Sequence, residues 1–187
     1  MDGTVLDSMP KLRELGIHVL QLGGGFGRLN AEASYNATVG QPFVDQCRIA
    51  FGDDHEFVNE CAKIYGNIHA MLAPNFRLTS FGYDLVSAFS PAFSLALVSS
   101  TSHAIINTIP SIREIPWRTI EGFDGESYHK KEQIESIMDE FLIEKDECIY
   151  VGDVTSDEAL AAELGLRFSW PISHLIPGLL NHVEVVR

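Results

Sequence analysis

Cys148-Ile149-Tyr150-Val151-Gly152-Asp153-Val154-Thr155-Ser156-Asp157 decides how the rest of the chain is read. An apolar run of four residues stops at a glycine and turns acidic and hydroxyl-rich, and Ala159, Leu160 and Ala161 then carry on as a helix. A compact apolar run of that length, bounded by glycine, predicts a buried parallel strand, and the strand-turn-helix order predicts an α/β unit. In an open parallel sheet, ligands sit beyond the carboxyl ends of the strands, so Asp153 is predicted to face a ligand.

The α/β pattern extends back to about residue 75. Leu95 to Val98 is a second apolar run, ending at Ser99-Ser100-Thr101, and Leu166 to Ser169 a third. Lys130 to Leu142 predicts a helix with Ile134, Ile137, Met138 and Phe141 on one face. Further helices are predicted at Ser156 to Leu164 and near His174 to His182. Ahead of Pro74 the character differs. From Ser8 to about Met71 the chain reads as helices broken by short loops, with Pro10 and Pro42 suited to first turns and Gly40 and Gly52 as punctuation. Phe57, Cys61, Tyr65, Ile68 and Leu72 recur at helical spacing within Asp54 to Leu72, a stripe read as core packing. The run Gly23-Gly24-Gly25-Phe26-Gly27 follows a helical segment and lacks a following Lys-Ser/Thr, so it is read as an inter-helix loop and not a phosphate loop.

Composition narrows the function. The 187 residues are 45% hydrophobic and 21% charged, and 13 basic against 26 acidic residues leave a net charge of -13. No basic stretch is long enough to follow a phosphate backbone, which argues against nucleic acid as a partner. The absence of a long apolar run or a secretory pattern leads to the expectation of a soluble, cytoplasmic protein with no membrane partner. Cys47, Cys61 and Cys148 are odd in number and far apart, and are read as buried free thiols. An anionic substrate would be repelled at long range, so a phosphate site needs local positive charge or a metal.

Three polar clusters stand where strands end: Met1-Asp2-Gly3-Thr4-Val5-Leu6-Asp7-Ser8, Ser99-Ser100-Thr101 and Gly152 to Asp157. Lys130 and Lys131 open a helix in the same half. Taken singly, Asp157 is equally a helix-dipole partner, Ser99 a turn residue and Lys131 a solvated charge. Taken together, carboxylates, hydroxyls and a lysine on one sheet edge suit Mg2+-assisted phosphoryl transfer. Carboxylates hold the hard cation, and hydroxyl and ammonium donors hold the phosphoryl oxygens.

Asp2-Gly3-Thr4-Val5-Leu6-Asp7-Ser8, Ser99 after a strand, a lysine, and Val151-Gly152-Asp153-Val154-Thr155-Ser156-Asp157 resemble, in order, the four motifs of the haloacid dehalogenase-like (HAD) superfamily. The resemblance spans nearly the whole chain and is most specific in the first and last motifs. It implies a Rossmann-like three-layer α/β/α core at residues 1–8 and 75–187, with an α-helical cap inserted at 9–74, as in the phosphoglycolate phosphatase and β-phosphoglucomutase branch. It implies a Mg2+-dependent phosphatase acting on a small phosphorylated metabolite, as a monomer or homodimer, with a sugar-phosphate mutase second. Asp2 resembles the general acid and base and would lend the metal its carbonyl. Thr4, Ser99, Ser100 and Lys131 would bind the phosphoryl group, with Lys130 the alternative lysine. Asp153 and Asp157 would hold Mg2+. A mutase would need an acid or base in the cap; His18, His55 and His69 are present, and each is read as packed or solvated.

The same resemblance puts the nucleophilic aspartate two residues ahead of Asp2, at the end of an apolar strand, a position before Met1. The expectation is that Met1 is the internal methionine of an Asp-Met-Asp-Gly-Thr motif and that this sequence is part of a longer one. A noncatalytic relative that binds a phosphate ligand or a protein partner, and an enzyme using another carboxylate, are the other two readings.

Overall fold

A computed structural model of the chain describes residues 1–52, 54–124 and 130–171. The helix expected near His174 to His182 lies outside them. The first half is helical: α1 (Met9–Gly24), α2 (Arg28–Thr38), α3 (Phe43–Phe51) and α4 (His55–Leu72). Pro10 sits in the first turn of α1, where its missing N–H is no loss, while Pro42 stands one place ahead of α3 as its N-cap. The glycine run begins inside α1 and leaves it through Gly25, at φ 62, into the loop that precedes α2. Asp54 caps α4 by accepting the Phe57 amide. These helices close over Ile17, Leu20, Tyr35, Cys47, Val58 and Cys61.

The second half alternates. After the short α5 (Ser80–Asp84) and one π turn come β1 (Leu95–Ser102), α6 (His103–Ile106), α7 (Pro110–Arg113) and β2 (Trp117–Phe123). Then follow α8 (Lys130–Phe141), β3 (Ile149–Val151), α9 (Thr155–Leu164) and β4 (Arg167–Ser169). β1 runs on through Ser99, Ser100 and Thr101, which the sequence reading put beyond the strand. β1 pairs with β2 at Val98↔Glu121 and again at Ser102↔Phe123, with an irregularity at the hydroxyl residues between them, and Leu97, Ser99 and Thr101 are buried in alternation along it. β2 was not foreseen, since Arg118, Glu121 and Gly122 interrupt its apolar residues.

β1 pairs with β2 and β3 with β4, both parallel, as two separate two-stranded sheets among the described residues. Between the pairs lies an apolar cavity of about 270 Å3, walled by Leu97, Val98, Ile149 and Val151 and floored by Ile134 and Met138 of α8. All three residues of β3 are in consequence half-buried, where a fully buried strand was expected. The packing falls mainly into two clusters, bridged by Val151 of β3 on the first and Val98 of β1 on the second. Val5, Leu6, Phe76, Leu97, Ile106 and Ile112 belong to one cluster; Ile134, Met138, Ala161, Leu164 and Leu166 belong to another. The N-terminal turn is tied to the first, because the Asp7 backbone amide donates to the Arg77 carbonyl and the Thr79 hydroxyl donates to the Thr4 carbonyl at 2.7 Å. Cys47 and Cys61 are buried free thiols and Cys148 is half-buried, also free. Among the described residues no helix is long and apolar enough to cross a membrane.

Candidate active site

A cavity of about 260 Å3 separates the helical half from the carboxyl ends of β1 and β3. Asp2, Ser99, Ser100, Lys130, Asp153 and Asp157 line it from the α/β side. Both oxygens of Asp2 accept hydroxyls: Ser8 donates to Oδ1 at 2.6 Å and Thr101 to Oδ2 at 2.7 Å. Neither hydroxyl was assigned a role from the sequence, although Thr101 stands two places beyond Ser99 and so on its face of the strand. Ser99 is buried, and its Oγ accepts the Thr101 amide at 3.2 Å.

The two glycines of the outer motifs are there for proximity. Gly3 has φ 76, and a Cβ on it would collide with the Asp153 carboxylate; a Cβ on Gly152 would collide with that of Asp157. The acidic turn after β3 therefore packs directly on the N-terminal turn. Thr4 fastens the junction by donating to Asp153 Oδ1 at 2.8 Å. Its hydroxyl faces Asp153, and Thr4 is not among the residues that line this cavity.

The lysine is corrected by one position. Lys130 Nζ reaches Asp157 Oδ1 at 2.7 Å and lines the cavity, whereas Lys131 Nζ pairs with Glu163 Oε1 at 2.6 Å on the surface. Successive residues on a helix point about 100° apart, so only one of the two can face inward. Of the pair, Lys130 is the one turned to Asp157. Tyr150, which reads as part of an apolar strand, also donates to Asp157 Oδ1, at 2.8 Å.

Asp157 is thus buried with both a cation and a phenol. Asp153 Oδ2 has no hydrogen-bond donor among the described residues, which suits a hard cation seeking oxygen. Mg2+ commonly takes one or two protein carboxylates and completes its shell with water and substrate phosphate. The carboxylates fit that requirement in kind; a ready-made cluster of three His, Cys, Asp or Glu close enough to hold an ion is not present among the described residues.

Facing them from the helical half are Tyr35, Tyr65 and His69, none singled out by a motif. Burial pushes the Tyr35 phenol up to about 12, pushes Tyr65 well above its ordinary value, and lowers His69. All three are therefore neutral at pH 7.

Solved structures resemble this arrangement over nearly the whole chain. One is a protein assigned as a haloacid dehalogenase-like hydrolase, from Bacteroides fragilis, with a TM-score of 0.72, 20% identity, and coverage of 90% of this chain and 82% of that one. The chain has the HAD-like hydrolase fold. A protein assigned as a phosphoglycolate phosphatase, from Lactobacillus plantarum, has a TM-score of 0.72 at 16% identity, covering 100% and 89% of the two chains. A haloacid dehalogenase-like family hydrolase from Streptococcus pneumoniae has a TM-score of 0.68 at 18% identity, covering 90% and 80%. No protein-family profile and no curated protein matches the sequence. At these identities the likeness is one of fold: a HAD-like α/β core with a helical cap.

Proposed function

We propose that the chain carries the acid/base, phosphate and metal machinery of a Mg2+-dependent phosphomonoester hydrolase, of the kind the phosphoglycolate phosphatase-like structures suggest. One observation carries the reading: Asp2, Ser99, Lys130 and Asp153 converge from four separate segments on one wall of the cap–core cavity. Residues 9–74 act as the cap that shuts water out during transfer.

Asp2 is the general acid and base in this reading. The Ser8 and Thr101 hydroxyls fix its plane, and because a hydroxyl can donate or accept, they serve the carboxylate and the carboxylic acid alike. Asp2 gives its proton to the leaving oxygen and takes one from the attacking water in the second half-reaction. Ser99 and Ser100 hold phosphoryl oxygens with Lys130, whose charge offsets theirs; Asp153 holds Mg2+, and Asp157 keeps Lys130 in place. Bound Mg2+ would neutralise part of the phosphoryl charge. In the haloacid dehalogenase-like motif that Asp2 resembles, the nucleophile is an aspartate two positions earlier. Of the cavity's own carboxylates, Asp2 accepts from Ser8 and Thr101, Asp153 accepts from Thr4 through one oxygen, and Asp157 accepts from Lys130 and Tyr150. Phosphate binding is expected of the 187 residues, and turnover of a chain that carries that earlier aspartate.

Phosphate release from a panel of small phosphomonoesters, with Mg2+ or with EDTA, tests this on the chain itself and on one extended upstream by an aspartate-bearing strand. Turnover confined to the extended, Mg2+-supplied protein is the expected result. Silence in both, with no phosphate binding, would refute it.

A further inference from the structure

The cap wall of the cavity differs in chemistry from the core wall. Tyr35 is 4% exposed and His69 3%, yet His69 Nε2 has no hydrogen-bond partner among the described residues. The hydroxyls of Tyr35 and of half-buried Tyr65 also have no hydrogen-bond partner among the described residues; they are not buried atoms left unsatisfied, since both side chains line the open cavity. Buried polar groups are ordinarily paired, and each unpaired one costs stability unless something else satisfies it. Gln46, at the same cavity, shows the ordinary case: its amide donates to the Gln41 carbonyl and accepts from Thr38. The unpaired groups are also held rigidly. Phe43 stacks on Tyr65 with ring centroids 3.9 Å apart, and His69 is wedged between Tyr65 and Phe76 at 5.8 and 5.9 Å.

Charge selects what meets them. Among the described residues lining the cavity, Lys130 is the one Lys or Arg, and it is already bonded to Asp157, while three carboxylates share the space. A phosphate ester bearing a second anionic group would find no cation on the cap side. An ester of a neutral alcohol would find two phenols and an imidazole, all uncharged donors and acceptors.

We propose that Tyr35, Tyr65 and His69 form the leaving-group subsite and that it takes an uncharged, hydroxyl-bearing alcohol, such as a polyol or sugar, in preference to a hydroxy acid. This rests on the phosphatase reading and adds the class of ester. The preorganised wall favours a ligand whose hydroxyls replace the missing partners, because a site built for hydroxyls discriminates against groups that leave them unpaired.

Calorimetric titration of the 187-residue protein in Mg2+ with glycerol 3-phosphate, 2-phosphoglycolate and inorganic phosphate tests it by binding alone. Glycerol 3-phosphate is expected to bind about tenfold or more tighter than 2-phosphoglycolate. Tyr35→Phe and Tyr65→Phe, which keep the ring and the fold, should each weaken it about three- to tenfold, the worth of one hydrogen bond, while inorganic phosphate changes less than about twofold. His69→Phe should act in the same direction. Phosphate binding with 2-phosphoglycolate equal or tighter, or with Tyr→Phe variants indistinguishable from the parent, would overturn this inference and leave the phosphatase reading standing. No binding of any of the three ligands would overturn both.

Discussion

Asp2 is anchored by Ser8 and Thr101, so its replacement separates chemistry from architecture. In the upstream-extended protein, Asp2→Asn is expected to lower kcat by about a hundredfold or more, the usual cost of removing a general acid/base, with thermal unfolding little changed. Normal turnover would remove Asp2 from the mechanism. The two lysines give a second residue-scale test. Lys130→Met strands a buried carboxylate and should cost about 3–5 kcal/mol in chemical denaturation, besides weakening phosphate binding. Lys131→Met breaks an exposed pair and should alter neither; the opposite ranking would restore Lys131 to the site. His69 adds a pH dependence. Burial holds its pKa below 6.5 in the fold, so as pH falls through 6.5 the unfolded chain takes up a proton that the folded one refuses. Stability should therefore drop between pH 7.5 and 5.5, and His69→Gln should flatten that drop in a melting series. The carboxylates and serines of the site were legible because a turn after an apolar run shows itself in the sequence. The lysine was legible only to within one position, since helix phase near a terminus cannot be read from a doubled residue. Tyr35, Tyr65 and His69 were not legible, because residues at helical spacing look alike whether they line a core or a cavity.

Among the elements, the long helix α4 was readable, because a stripe at helical spacing over 18 residues leaves little choice. β2 was hidden because parallel partners recruited it, with Arg118 folded over the Phe141 ring at 4.0 Å and not carried by any apolar alternation. The end of α8 is a similar case. Leu142 takes φ 55 and is 88% exposed, and the Ile143 amide returns to the Met138 carbonyl, a turn that helices usually close with glycine. The left-handed cost for a side chain is about 1 kcal/mol, so Leu142→Gly is expected to stabilise the protein by about 0.5–1 kcal/mol in denaturant titration. A loss of stability would mean that the leucine has a packing role that its exposure does not suggest.

On the scale of the whole molecule, a net charge of -13 surrounds a cavity to which the proposed function assigns an anion. Mg2+ and phosphate should then raise Tm together by more than the sum of their separate effects, with EDTA reversing the gain, since each relieves the repulsion the other meets. Additive shifts would argue against a shared site. The HAD-like architecture was legible from the order of its motifs, whereas the division of the strands into two pairs was not, because pairing partners leave no local mark. That division has a kinetic side. The segment from α8 through β3 and α9 to β4 packs on Ile134, Met138, Ala161, Leu164 and Leu166, shares no ladder with β1 and β2 among the described residues, and touches them only where α8 and Val151 border a cavity. Such a segment opens as its own cooperative unit, so its amides should exchange with solvent as a group, well before those of Leu97 and Ile106.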